Sequence, residues 1–176
     1  MLRRDPLADP ERLIRRVYSY VAYRIGDGPD AEDVTSEAFA RALRYRDSFD
    51  EQKGDPTAWM IGIARRCIAA HFGEGAEIVA QPPEQQAPGD LAEDSVRRIE
   101  LRQAMATLEE RDRELIALRY GADMSAKQIA NVLGLRVNTV EVALHRVLRR
   151  LRSVLDPEET RGAPAPSIGA ELPIKG

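Results

Sequence analysis

The residues best placed to do chemistry lie between Gln128 and Leu151, in QIANVLGLRVNTVEVALHRVLRRL. Arg146, Arg149, Arg150 and Arg152 recur on consecutive helical turns, a spacing that suits a row of phosphates. The same cations also suit the negative end of a helix, so a solvated helix end is the plain alternative. Glu141, His145, Arg149 and Arg152 fall on one outer face, with an acid where a cation facing nucleic acid would be expected. A second group is DAEDVTSEAF, Asp30–Phe39, in which Asp33 and Glu37 stand four apart and point the same way. Such a face can dock a basic partner helix, and acids at this position also simply stabilise a helix start. A third group is Arg65 and Arg66, with Arg44, Arg46 and Lys53 nearby in sequence, around the loop Asp47–Asp55. A base could stack on Phe49 in that loop or enter a pocket beside it, or Phe49 plugs the domain's own core.

These side chains need helices to hold them, and the apolar periodicity supplies candidates. Pro10 follows Asp9 as a first-turn residue behind a cap, with Leu13, Ile14, Val17, Tyr18, Val21 and Ile25 at helical spacing. Gly26–Asp30 ends that helix and starts a second, with Asp30 as cap and Val34, Ala38, Phe39, Ala42 and Tyr45 as its stripe. Asp55-Pro56 opens a third through Trp59, Met60, Ile63, Ala64, Cys67 and Ile68. Further on, Arg97–Leu108 and Arg111–Tyr120 read as one helical pair. Ser125 then caps a short helix with Ile129, Val132 and Leu133, Gly134 turns, and Val140, Leu144, Val147, Leu148, Leu151 and Leu155 line a last helix. Short helix, glycine turn and longer basic helix form a helix-turn-helix pattern.

Charge divides the chain of 176 residues, whose net charge is −3. Residues 1–72 are balanced, residues 73–96 carry six acids and no base, and residues 97–156 carry twelve bases against eight acids. The acidic stretch, GEGAEIVAQPPEQQAPGDLAED, is rich in proline and glycine and reads as an extended or disordered linker. The tail 157–176 has the same character. The expected fold is therefore all-α, two small helical domains over 1–72 and 97–156 joined by an acidic flexible linker over 73–96. Cys67 is the single cysteine, so an internal disulfide or thiolate cluster cannot form, and His71 and His145 lack ligand spacing. No metal, cofactor or nucleophile–base pair is expected, and the chain reads as a non-enzyme. The apolar run AWMIGIA is too short to span a bilayer and the N-terminus has no signal-peptide core, which reads as a soluble cytoplasmic protein without membrane contact of its own.

Taken in order, three segments resemble the extracytoplasmic-function (ECF, group IV) sigma factors of bacterial RNA polymerase. GDGPDAEDVTSEAFARALR is similar to their polymerase-docking segment and DPTAWMIGIARRCIAAHF to their reader of the upstream end of the −10 element. LEERDRELIALRYGADMSAKQIANVLGLRVNTVEVALHRVLRRLRSVL is similar to their −35-reading domain, so the resemblance covers roughly Leu7–Leu155. It implies sigma domain two over 1–72 and a helix-turn-helix sigma domain four over 97–156. Asp30, Asp33 and Glu37 would pair with basic residues on the clamp helices of core polymerase. The Asp47–Asp55 loop, with Phe49 and Lys53, would capture a flipped base of the melting −10 element beside Arg65 and Arg66. Arg136, Asn138, Thr139, Glu141, His145, Arg146, Arg149 and Arg150 would face the −35 major groove. An anti-sigma factor that clamps the two domains together is a common partner in that family. The linker's twenty-four residues reach at most about 80 Å extended but average about 27 Å as a flexible coil, so they span two promoter elements roughly 70 Å apart only if something holds them stretched.

The chain departs from the family in its recognition helix, where S-x-G-T-V-K-S-R-L-H-R is usual. Arg136, Asn138, Glu141, Val142 and Ala143 replace the serine, glycine, lysine, serine and arginine, while Thr139, Val140, Leu144, His145 and Arg146 are kept. Ser36 stands for a common glutamine in the docking segment and Arg66 for a common asparagine in the −10 helix. Two lost cations and a gained acid weaken phosphate binding, and Glu141 can instead accept from cytosine N4. The same helix-turn-helix segment also resembles a LuxR-type regulator, which would bind duplex DNA alone. A sigma-like interaction protein that occupies polymerase or an anti-sigma factor without normal promoter reading is a further alternative.

Overall fold

The computed structural model describes residues 5–73 and 92–155, which form seven α-helices and no strand among the described residues. Most of the expected linker, 74–91, and the tail 156–176 lie outside the described residues. Helix α1 runs Pro10–Ile25, α2 Pro29–Tyr45, and α3 Pro56–Phe72 after a 3-10 turn at Arg46–Ser48. Helix α4, Ala92–Ala106, begins inside the stretch read as linker, and α5, α6 and α7 span Glu110–Ile116, Ala126–Leu133 and Val137–Leu155. No helix among the described residues is long and apolar enough to cross a membrane.

Local chemistry sets the N-terminal boundaries. The Asp9 carboxylate accepts from Arg12 N at 3.2 Å to start α1. Asp55 accepts from Thr57 N at 2.8 Å and Ala58 N at 3.1 Å to start α3, with Pro56 at its first position. Helix α2 begins at Pro29 behind Gly28, so Asp30 sits in its first turn and does not cap it. Val17, Val21, Val34, Ala38, Ala42, Met60, Ile61, Ala64 and Ile68 close the core between these three helices. Ile14, expected on the buried stripe, is 47% exposed, and Tyr20 and Arg24 are buried in its stead. The apolar stripe of α1 faces its own unit, and Tyr20 and Arg24 face the second one.

In the C-terminal unit α4, α5 and α7 pack around Ala104, Met105, Leu108, Ile116, Val147 and Leu151. Arg113 is buried beneath the end of α4 and donates to the carbonyls of Leu108 at 2.9 Å and Met105 at 3.3 Å. It thereby satisfies acceptors that a helix C-terminus leaves orphaned. Burial, then the nearby Arg24 charge, push the Arg113 pKa down. The expected helix Arg111–Tyr120 is α-helical only to Ile116 and then widens into a π-helical turn, Ala117–Gly121.

That turn is where the two units meet, and they share one continuous core: Leu115, Leu118, Met124 and Ile129 join the cluster of α1–α3. Gly121 makes the approach possible, because a Cβ there would lie 2.7 Å from Tyr20 Cα and 2.8 Å from Tyr20 N. At the centre Glu114, 7% exposed, receives three donors from the N-terminal unit. The Tyr20 hydroxyl donates at 3.0 Å, Arg24 Nη1 at short range, and Arg65 Nε lies at 3.1 Å. Arg24 also reaches Glu110 at 3.0 Å, and Arg16 reaches Asp123 at 2.7 Å.

Two phenols report on this packing. Burial and then the Glu114 charge hold the Tyr20 pKa well above its ordinary value. Burial and then its hydrogen bond to Asp27 push Tyr18 up to about 12. Because folding raises the Tyr18 pKa, its contribution to stability is full below about pH 10 and is lost as pH climbs through about 12. In an alkaline absorbance titration, Tyr18→Phe is expected to delete a step with midpoint about 12. Deletion of a step near 10, the unperturbed value, would show that Asp27 does not hold this phenol.

Candidate nucleic-acid interface

The C-terminal helix pair is built by short-range bonds. Ser125 and Gln128 form a reciprocal capping box at the start of α6: Gln128 N donates to Ser125 Oγ at 3.3 Å, and Ser125 N to Gln128 Oε1 at 2.8 Å. Gly134, at φ 66°, closes α6 in a conformation that favours glycine, and Leu135 N returns to Ala130 O at 2.9 Å. Helix α7 then buries Val140, Leu144, Val147 and Leu151, as its period requires, while Leu155 at the end is 41% exposed.

Turning that stripe inward leaves Arg136, Asn138, Thr139, Glu141, His145, Arg146, Arg149 and Arg150 all exposed on α7 and the turn before it. This surface can offer cations to phosphates and amide, hydroxyl and imidazole groups to base edges. Glu141 stands in its midst. Arg150 is partly committed, because its Nη1 pairs with Asp112 Oδ2 of α5 at 2.7 Å.

In the N-terminal unit Asp30, Asp33 and Glu37 lie on one exposed face of α2. Asp30 Oδ1 is 3.4 Å from His71 Nε2 at the end of α3, and Glu37 is 2.6 Å from Arg41 on the next turn. The acids therefore form a continuous edge, with the His71 ring and the Arg41 guanidinium of the same unit beside it.

The four residues expected near the loop separate. Phe49 is 4% exposed and meets the Trp59 ring edge-on at 5.6 Å, so it plugs the core, the second of the two roles its sequence position allowed. Lys53 is exposed beside Asp50 at 3.4 Å, and Arg65 is drawn towards Glu114. Arg66 lines a cavity of about 530 Å³ with Glu37, Arg41, Arg44, Tyr45 and Trp59. The sequence allowed a pocket near Phe49 but not its walls: Arg41 and Tyr45 share a turn of α2, and nothing in their spacing shows that Trp59 and Arg66 of α3 lie opposite. Aromatic walls with guanidinium groups suit a flat, hydrogen-bonding ring attached to a phosphate. Among the described residues no group of three or more His, Cys, Asp or Glu side chains is placed to hold a metal.

Comparison with known proteins covers both units. Residues 11–74 match Sigma-70 region 2 and residues 98–151 match Sigma-70 region 4. The chain is 31% identical to the ECF RNA polymerase sigma factor BldN of Streptomyces coelicolor over 82% of its own length, and spans 58% of that longer protein. It is 30% identical to ECF sigma factor SigL of Mycobacterium tuberculosis, over 79% of this chain and 82% of the relative. To SigW of Bacillus subtilis it is 29% identical, over 86% and 89% of the two chains. Its fold resembles the sigma factor RpoE of Bartonella quintana, solved with the anti-sigma factor NepR, at TM-score 0.59 and 22% identity over 83% of this chain and 93% of that one. With both conserved regions present in order and a relative aligned over most of both lengths, the chain belongs to the ECF sigma factors, the alternative sigma factors that direct transcription by RNA polymerase.

Proposed function

We propose that this sigma factor docks on core RNA polymerase through Asp30, Asp33 and Glu37 and reads promoter DNA with two separate surfaces. The observation that carries the docking role is the single exposed acidic face of α2. Sigma domain two, 1–72, takes the −10 element, with Lys53, Arg65 and Arg66 on the strand and the cavity between Trp59 and Arg66 as the pocket for an unstacked base. Phe49 serves there from beneath, as the packing that fixes Trp59. Sigma domain four, 97–156, presents α7 to the −35 element. The protein acts by binding and not by catalysis, in the cytoplasm, where polymerase and promoter are. An anti-sigma factor that stabilised the contact between the two domains would hold it inactive.

Because Glu141 replaces a cation and Arg150 is tied to Asp112, the isolated chain binds duplex DNA poorly and polymerase supplies much of the positive surface. A LuxR-type regulator would have no use for the acidic face of α2.

Fluorescently labelled protein is expected to bind core polymerase, and Glu37→Arg to weaken that binding about tenfold or more. Equal binding by the two proteins would remove α2 from the docking surface. Asp112→Ala frees Arg150 for phosphate. It is expected to tighten duplex DNA binding at low salt and steepen the salt dependence by about one released counterion. An unchanged slope would mean that Arg150 does not meet the DNA backbone.

A further inference from the structure

We infer that Glu114 is an internal latch: it holds the two domains closed on each other in the free protein, and engagement of polymerase and promoter requires that it let go. The inference rests on the sigma-factor reading for what opening accomplishes, and on the contacts of Glu114 for the latch itself. All the Glu114 side-chain partners described above, Tyr20, Arg24 and Arg65, belong to the other domain. A carboxylate at 7% exposure carries a desolvation cost, and the donors described as offsetting it all come from the other domain. Around it Arg16 reaches Asp123 at 2.7 Å, and Gln128 Nε2 donates to Asp55 Oδ2 at 2.7 Å. The π-helical turn brings Gly121 against the Tyr20 backbone.

Closure conflicts with promoter reading in two ways. Two elements roughly 70 Å apart cannot be read together by domains that share a core. Arg65, which would meet the DNA strand, is instead held by Glu114 at 3.1 Å, so the carboxylate occupies a cation that a phosphate would claim. Closure is also imperfectly satisfied: Arg24 Nε is buried without a hydrogen-bond partner, a cost relieved on opening. The acidic face of α2 stays exposed throughout, so polymerase can make first contact with the closed form and then draw it open.

The test uses the full chain. Its radius of gyration is measured by X-ray scattering, and its affinity for core polymerase by fluorescence anisotropy, with far-ultraviolet dichroism to verify helix content. Glu114→Gln removes the latching charge, Gly121→Ala wedges the turn off Tyr20, and Asp123→Asn removes an exposed ion pair at no risk to either core. The wild type is expected to be compact. All three variants should be larger at unchanged helix content, Asp123→Asn least, and Glu114→Gln should bind core about tenfold tighter, as for a protein closed roughly nine-tenths of the time. An extended wild type, variants that stay compact, or opened variants that bind core no tighter would each overturn the latch. Should one variant lose helix content, the remaining two decide. Glu37→Arg, on the far acidic face, reads the docking role separately, by losing core binding at unchanged radius.

Discussion

A carboxylate buried between two packed bodies is tolerated only when donors surround it, since the desolvation penalty of an unpaired ion amounts to several kcal/mol. Glu114 meets that demand with a phenol and two guanidinium groups, every one from the opposite domain. The constraint is geometric as well as energetic. Tyr20 and Arg24 lie one turn apart on α1, and Arg65 projects from α3, so one oxygen pair fixes the azimuth of α5 against two helices at once. The close approach at Gly121 fixes the distance. Apolar contact through Leu118, Met124 and Ile129 supplies area but little direction.

From that fixed pose the functional surfaces fall outward. The recognition face of α7 and the acidic face of α2 are exposed because their stripes of valine, leucine and alanine are spent on the two cores. The surface proposed for the −10 element is divided. Its cavity beside Trp59 opens to solvent, while Arg65 is turned towards the seam. A protein whose net charge is −3 thus commits one of its half-exposed arginines to its own carboxylate.

Much of this was legible in the sequence. Asp9, Asp55 and Ser125 each announce a helix start through a side chain that can cap only there, and Gly134 announces a turn through its left-handed backbone. The outward residues of α7 follow from its period alone. What was illegible is what depends on a partner distant in sequence. Ile14 and Tyr20 are both apolar enough for a stripe, and only the arrival of α5 and the π-helical turn decides that Tyr20 is covered and Ile14 is not. The burial of Phe49 and the cavity beside Arg66 likewise depend on how Trp59 lies across α2. Nothing in the sequence around Glu114 marks it as the acid that three residues of the other domain surround. A helical pattern records which residues face inward, but not which neighbour will stand there.

The pairing of Asp55 with Gln128 has a consequence for how the seam comes apart. Asp55 uses Oδ1 to cap α3 and Oδ2 to receive Gln128, whose own Oε1 serves the capping box of α6. Two helix N-termini, both electropositive, therefore meet across one shared anion. Each keeps its cap from its own side of the joint. Parting the domains at this point severs the bridge between Gln128 and Asp55 but takes the cap from neither helix, so each first turn keeps the partner that started it.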